Sequence, residues 1–183
     1  QMDFGGELTG FNPYFDGKSR RSVNLTEQIE RDTSELDGAF RAMTTGDVEC
    51  PFVFDVPNIL VKPVSVPVSC DIQLNAFATN DLKVFADEAE FQASQTDEPK
   101  LGAKSFIPIG IFRESEGIPA QAHASFAGEI KEFERKMNHF TGAEFYHLLV
   151  ETVGGELDVV SDPTYIKNEP QIGSVIHGSF WLT

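Results

Sequence analysis

Four histidines and two aspartates in the C-terminal third are the side chains best suited to chemistry. They are His123, His139, His147, His177, Asp158 and Asp162. Imidazole and carboxylate groups that converge can bind a metal ion or transfer protons, as in a hydrolase or a metal-dependent enzyme. No two of these histidines have a recognisable ligand spacing, such as positions i and i+4 of a helix. The pattern therefore favours structural or surface histidines and predicts no metal site and no catalytic residue.

The remaining nucleophiles and glycines do not form a catalytic motif in the sequence. Cys50 and Cys70 are the only cysteines, and the sequence leaves open whether they pair. Cys70 lies on the apolar side of an alternating strand pattern, which favours a buried free thiol. The serines lack a G-x-S-x-G elbow, and the glycines match neither a P-loop nor a dinucleotide fingerprint. We therefore expect no cofactor and a protein that is not an enzyme.

The charge balance argues against two classes of partner. The chain has 14 basic and 29 acidic residues and a formal net charge of −15. Phosphate backbones and anionic membranes both need basic side chains, so neither is an expected partner. The charge favours solubility, or an acidic face for a basic protein. Lys18, Arg20 and Arg21 form a basic cluster, interpreted as a solvated loop with an anion contact as the alternative. No membrane helix or signal peptide is recognised, which favours a cytoplasmic location.

Residues 122–182 alternate in a way that predicts a small all-β unit. The apolar parity of the first strand breaks between Ile130 and Phe133, which indicates a bulge, and Gly128 allows that strand to coil. Gly154 and Gly155 fit a tight hairpin turn. A short helical link then precedes the last strand, which carries Phe180 and Trp181.

This order of elements, ending in the Gly-initiated strand IGSVIHGSFW, resembles the OB-fold, a five-stranded and partly open barrel. Only four strands fit into residues 122–182, so the fifth is expected from Ser105–Phe112, from a second chain or from residues missing here. OB-folds often bind single-stranded nucleic acid through aromatic stacking and a basic groove. Here the basic residues Lys131, Arg135 and Lys136 alternate with glutamates, which weighs against that ligand.

The first 112 residues predict one helix and a sheet. Asn24 can cap a helix over residues 24–43, with an apolar stripe of Leu25, Ile29, Leu36, Phe40 and Met43. Apolar residues at the even positions from Val64 to Ala78 predict a half-buried strand with proline at its start. Alternation favours a further strand, over a helix, from Glu88 to Ala93.

We expect a mainly β fold with one principal helix and an antiparallel sheet or barrel. The predicted domains are a helix-decorated β unit over 1–112, a linker over 113–121, and an OB-like barrel over 122–183 that can share strand 105–112.

The preferred hypothesis is an acidic binding or assembly protein that contacts a protein partner, or a second copy, through strand edges or the barrel face. The alternatives are a single-stranded nucleic-acid-binding protein and a hydrolase or metal enzyme. The predicted edges are segments 63–67 and 106–110. The predicted binding residues are Tyr146, Trp181, His147 and His177.

Overall fold

The described part of the chain folds into two β-sheets, which confirms the prediction of a mainly β fold. The computed structural model describes residues 12–31, 37–46, 48–57, 59, 63–80 and 82–183. One sheet has four strands and the other has seven.

The four-stranded sheet is antiparallel and is built from the N-terminal half. Its strands are β1 (Arg21–Glu30), β2 (Asp37–Thr44), β3 (Pro51–Pro57) and β4 (Val68–Ile72). They pair in the order β3-β2-β1-β4, so β4 is an edge strand. It begins directly after segment 63–67, which was predicted as an edge. In β1, Val23 and Leu25 are buried while Ser22 and Asn24 face solvent, which is the period of two expected of a half-buried strand.

The predicted helix over residues 24–43 is wrong, because this stretch contains β1 and β2. The two strands pair with each other, with Gln28 opposite Phe40. Leu25 and Ile29 are four residues apart, a spacing that fits both a helix and the period of two of a strand, so it did not distinguish the two. Leu36, the middle residue of the predicted stripe, lies outside the described residues.

The rest of the chain supplies seven strands and one α-helix. The strands are β5 (Asn75–Ala78), β6 (Lys83–Phe85), β7 (Ser105–Ile107), β8 (His123–Met137), β9 (Glu144–Thr152), β10 (Gly155–Ser161) and β11 (Val175–Leu182). Short 3-10 turns cover Ile109–Ile111, Glu114–Glu116 and Pro163–Tyr165.

The helix α1 spans Glu88–Ser94, where alternation favoured a strand, so that prediction is wrong. The Asp87 side chain caps it by accepting a hydrogen bond from the Glu90 amide at 2.8 Å. Phe91 is the one buried residue of the helix. The alternating apolar residues Ala89, Phe91 and Ala93 therefore do not share a buried face. Among the described residues, no helix has the length and apolar character needed to cross a membrane.

Five strands of the larger sheet pair in a closed ring. β8 pairs with β9, β9 with β10, β10 with β5, β5 with β11, and β11 returns to β8. All these pairings are antiparallel except the parallel one between β10 and β5. The fifth strand is therefore β5, and the expectation that Ser105–Phe112 or a second chain would complete the ring is wrong. β7 pairs with β8 at the outer edge of the sheet. Of the predicted edge segment 106–110, Phe106 and Ile107 lie in this strand, whereas the 3-10 turn Ile109–Ile111 follows it.

Long aromatic side chains fill the ring and join it to the smaller sheet. Phe126 and Phe180 stack inside the ring with centroids 3.9 Å apart. Phe106 stacks on Phe126 and meets Phe52 of β3 edge-on, at 6.0 and 5.9 Å. One buried apolar cluster therefore contains residues of both sheets. The division into domains at 113–121 stays a prediction.

Candidate binding surface

The turn between β8 and β9 presents a phenylalanine to solvent. Phe140 is 101% exposed, although aromatic side chains usually bury most of their surface. The turn is ordered by Asn138, whose Oδ1 accepts hydrogen bonds from the amides of Phe140 at 2.9 Å and Thr141 at 3.2 Å. Gly142 closes the turn with φ of 72°, a conformation that favours glycine. Phe140 is thus held out on a defined backbone.

Two further apolar side chains extend the exposed surface down the same hairpin. Phe133 and Met137 of β8 are both exposed. They are four residues apart in a strand, so they lie on the same side of it. With Phe140 they are three exposed apolar side chains on one hairpin, which we call the hairpin ridge. Exposed apolar residues grouped on one surface mark interaction sites more often than isolated ones do.

A cavity of about 340 Å³ opens beside the turn that carries Phe140. The turn contributes Asn138 and Ala143 to its wall. Five of the lining residues are aromatic, and they come from the N-terminal segment, β5, β9 and the 3-10 turn after β10. These are Tyr14, Phe15, Phe77, Phe145 and Tyr165. We call this site the aromatic cavity. Its polar lining residues include Glu144, Ser161 and Asp162.

Residues 15–19 contact β9 and β10, and Tyr14 and Phe15 form one side of this cavity. The Phe15 ring packs against His147 at 4.5 Å and edge-on against Phe145 at 5.8 Å, measured between centroids. The side-chain amide of Gln73 donates to the Phe15 carbonyl at 2.8 Å. A side chain at Gly17 would collide with the carboxylate of Asp158, so glycine permits the close approach.

Asp158 is the anchor of this segment. Its carboxylate is fully buried on β10 and accepts hydrogen bonds from the amides of Lys18 at 3.0 Å and Ser19 at 2.8 Å. The Nε2 atom of His147 lies 2.7 Å from the same carboxylate. Burial is the largest single influence on the pKa of Asp158 and raises it. The hydrogen bonds from His147, Lys18 and Ser19 together outweigh burial and lower the pKa to about 2.

Basic side chains of the hairpin are paired with carboxylates. Lys18 contacts Glu132, and the Arg135 guanidinium lies 2.6 Å from Glu144. Lys136 lies 2.9 Å from Glu134 and 5.7 Å from the centre of the Phe15 ring. These pairs neutralise the positive charge that a nucleic-acid backbone would need.

The four predicted binding residues do not form one site. His147 is buried against Asp158, whereas His177 packs against Phe91 at 5.9 Å, beside a different cavity. Tyr146 packs against the core, and the Trp181 indole donates to Asp55 Oδ2 at 2.7 Å. No hydrogen bond, ion pair or ring contact in the described part of the chain joins these four side chains. Burial, followed by the charge of Lys83, lowers the pKa of His177.

Apart from the pair formed by His147 and Asp158, the residues considered for chemistry are dispersed. His123 and His139 are exposed, the latter on the turn between β8 and β9. Asp162 caps the 3-10 turn after β10 by accepting from the Thr164 amide at 2.8 Å. Within the described ranges, no three His, Cys, Asp or Glu side chains are placed to hold a metal ion. Cys50 and Cys70 are free thiols.

Sequence reasoning missed Tyr14, Phe15 and Phe140 as surface residues. A signal for Phe140 existed, because it lies in the turn sequence Asn-His-Phe-Thr-Gly, where an apolar residue has no strand face to join. Tyr14 and Phe15 lie in a segment without periodicity, so their position depends on contacts with distant strands.

Comparison with known proteins does not add a function to this geometry. No protein-family model matches the chain, and no curated protein matches it significantly in sequence.

Proposed function

We propose that the chain is a binding protein, not an enzyme, and that it assembles with a second copy through the hairpin ridge and the aromatic cavity. The observation that carries the proposal is the fully exposed Phe140 on an ordered turn, next to a cavity with five aromatic rings. A projecting apolar side chain and an apolar cavity on one surface are complementary to each other. In a two-fold dimer, each copy can place its Phe140 in the cavity of the other.

We further infer that the five-stranded ring is an OB-like barrel. β8, β9, β10 and β11 follow the order expected for residues 122–182, and β5 would supply the fifth strand from earlier in the chain. In an OB-fold, the face of the second and third strands and the first loop form the ligand surface. Those elements would correspond to β9, β10 and the turn that carries Phe140, which is where the aromatic cavity lies. This correspondence supports a binding role for the surface.

Single-stranded nucleic acid is less well supported as the ligand. Residues 15–19 pack against β9 and β10, and the hairpin's basic side chains are paired with glutamates. A protein surface needs no positive groove, so the second copy fits the observed charges better.

The test is the dependence of molecular mass on concentration, measured by sedimentation equilibrium from about 10 μM to about 1 mM. We expect the mass to rise toward that of a dimer, and Phe140→Ala to shift this rise to at least roughly tenfold higher concentration, as for a central aromatic anchor. Phe112→Ala is the matched control, because Phe112 is also an exposed phenylalanine, at 60%, and lies outside this surface. A monomer mass throughout, or equal effects of the two substitutions, would contradict the proposal.

A further inference from the structure

Arg21, the first residue of β1, is a buried cation between the two sheets. Its side chain is only 3% exposed. The guanidinium carbon lies 5.8 Å from the ring centre of Phe52 and 5.5 Å from that of Phe106. Nη2 donates to Thr152 Oγ1 at 3.1 Å and to the Gly155 carbonyl at 2.8 Å. Nε and Nη1 have no hydrogen-bond partner among the described residues.

Arg21 and its neighbour Arg20 also differ from the other described arginines, because neither has a carboxylate partner among the described residues. The other four each pair with at least one acidic side chain, and they are Arg31, Arg41, Arg113 and Arg135. Arg20 donates to the Ser19 carbonyl at 2.9 Å. In so acidic a chain, two adjacent arginines that meet no carboxylate within the described ranges are unexpected. A buried charge without a counter-ion is costly, so such a site favours an external anion.

The two arginines line the same cavity. It has a volume of about 500 Å³ and lies between the start of β1 and the turn that joins β9 to β10. Its other lining residues are Ser22, Thr45, Val48, Val153, Gly154 and Gly155. No carboxylate from the described part of the chain contributes to this lining. The cavity therefore combines positive charge with room for a small ligand.

The two glycines of the turn lie directly over the unpartnered nitrogens. A Cβ atom would lie 3.5 Å from Nη1 if placed on Gly154, and 3.4 Å from Nε if placed on Gly155. Neither glycine carries a side chain that would crowd these nitrogens. Both nitrogens are buried, so the proposed anion would have to reach them between Arg21 and the turn. Burial, partly opposed by Cys50, lowers the pKa of Arg21 to about 10, which keeps the guanidinium charged at neutral pH.

We propose that Arg20, Arg21 and the Gly154–Gly155 turn form a binding site for a phosphate-class oxyanion. The planar fork of a guanidinium matches the oxygens of a phosphoryl group and donates charge-assisted hydrogen bonds to them. Nη1 and Nε of Arg21 would donate to the anion, and Arg20 would close the site from the solvent side. The site is separate from the aromatic cavity and does not depend on assembly.

The experiment is a heteronuclear NMR titration with inorganic phosphate, at an ionic strength held constant with sodium chloride. We expect saturable shifts of the amides of Arg20, Ser22, Thr45 and Gly154. Arg20→Gln should weaken the apparent affinity roughly tenfold, the effect of one hydrogen bond to a charged group. Arg113→Gln is the matched control, because Arg113 is 67% exposed, pairs with Glu116 and lies outside this site. It should change the affinity less than about twofold.

A second variant keeps the test independent of Arg21, whose removal could unfold the chain. Gly154→Ala places a methyl group beside Nη1 and should also weaken phosphate binding while the spectrum stays folded. A parallel titration with O-phosphoserine separates the sources of the ligand. Tighter binding of the ester indicates a phosphorylated molecule, and equal binding indicates free phosphate. Shifts that do not saturate, or an equal loss of affinity in Arg20→Gln and Arg113→Gln, would overturn the proposal.

Discussion

At the scale of single residues, the Asp158 carboxylate decides where the N-terminal segment lies. It is buried, and three donors converge on it, from Lys18, Ser19 and His147. A buried carboxylate with all its hydrogen bonds made holds its neighbours in one arrangement. Removing one of the donors strongly destabilises the fold, because the charge is then left buried without a partner. The wall of the aromatic cavity that contains Phe15 therefore depends on Asp158.

We expect Asp158→Asn to lower the free energy of unfolding by about 2 to 4 kcal/mol, because one carboxylate oxygen becomes an amide that faces a donor. Urea denaturation measures the change. Asp162→Asn is the control. Asp162 is exposed and caps a 3-10 turn, a role that asparagine also fills, so its effect should stay below about 0.5 kcal/mol.

The same carboxylate predicts a pH dependence. Its pKa falls from an ordinary 3.8 to about 2 in the folded protein. A pKa that is lower in the folded than in the unfolded state stabilises the fold at pH values above the unfolded pKa. This contribution of about 2 kcal/mol is therefore complete above about pH 4 and is lost as the pH falls through 2. The stability difference between wild type and Asp158→Asn should shrink over that window. A difference that stays constant from pH 5 to pH 2 would refute the role assigned to the charge.

At the scale of elements, Gly128 lets β8 serve two neighbours at once. β8 pairs with β9 on one side and with β11 on the other, and its register shifts between Ile130 and Glu132. A Cβ at Gly128 would lie 2.8 Å from the carbonyl oxygen of Glu151, closer than such atoms approach in practice. Only glycine allows this packing without a backbone shift.

Gly128→Ala should therefore destabilise the fold by about 1 to 3 kcal/mol, the usual cost of overpacking. Thermal denaturation followed by circular dichroism gives the change. Gly102→Ala makes the same substitution where the nearest atom is 3.6 Å away and φ is ordinary, so it should be neutral or slightly stabilising. Equal losses in both variants would show that Gly128 has no special role.

Elements were predictable where their signals are local. The glycine turn at 154–155, the bulge after Ile130 and the link at Pro163–Tyr165 all follow from short-range chemistry. The failures at 24–43 and 88–93 have the opposite cause. In β1 and β2, pairing of the two strands with each other and with β3 and β4 decides the structure, and the four-residue spacing of Leu25 and Ile29 also fits a helix. In α1, the Asp87 cap outweighs an apparent alternation.

At the scale of the whole molecule, the closing strand of the ring comes from outside the C-terminal third. β5 has four residues, and it pairs with β10 and β11. The sequence showed that a strand was missing from residues 122–182, but not which one. The structure divides the predicted strand 64–78 into β4 and β5, which lie in different sheets, and the alternation does not show this division. The aromatic cavity was equally hard to predict from the sequence, because Phe15, Phe77 and Tyr165 come together only once the ring has closed.

The net charge of −15 is compatible with assembly through an apolar surface. Ion pairs neutralise much of the charge on the hairpin, including those of Lys136 with Glu134 and Arg135 with Glu144. These pairs reduce the repulsion between two copies near the ridge. This distribution favours a specific dimer over open-ended association.

The most direct test of the central claim is whether Phe140 of one copy touches the aromatic cavity of another. Isotope-filtered nuclear Overhauser spectra, recorded on an equimolar mixture of labelled and unlabelled protein, detect only contacts between copies. We predict cross-peaks that join the Phe140 ring to the rings of Phe145 and Tyr165. A sample with the mass of a dimer that shows no such cross-peaks, or shows them only from other parts of the surface, would contradict the account.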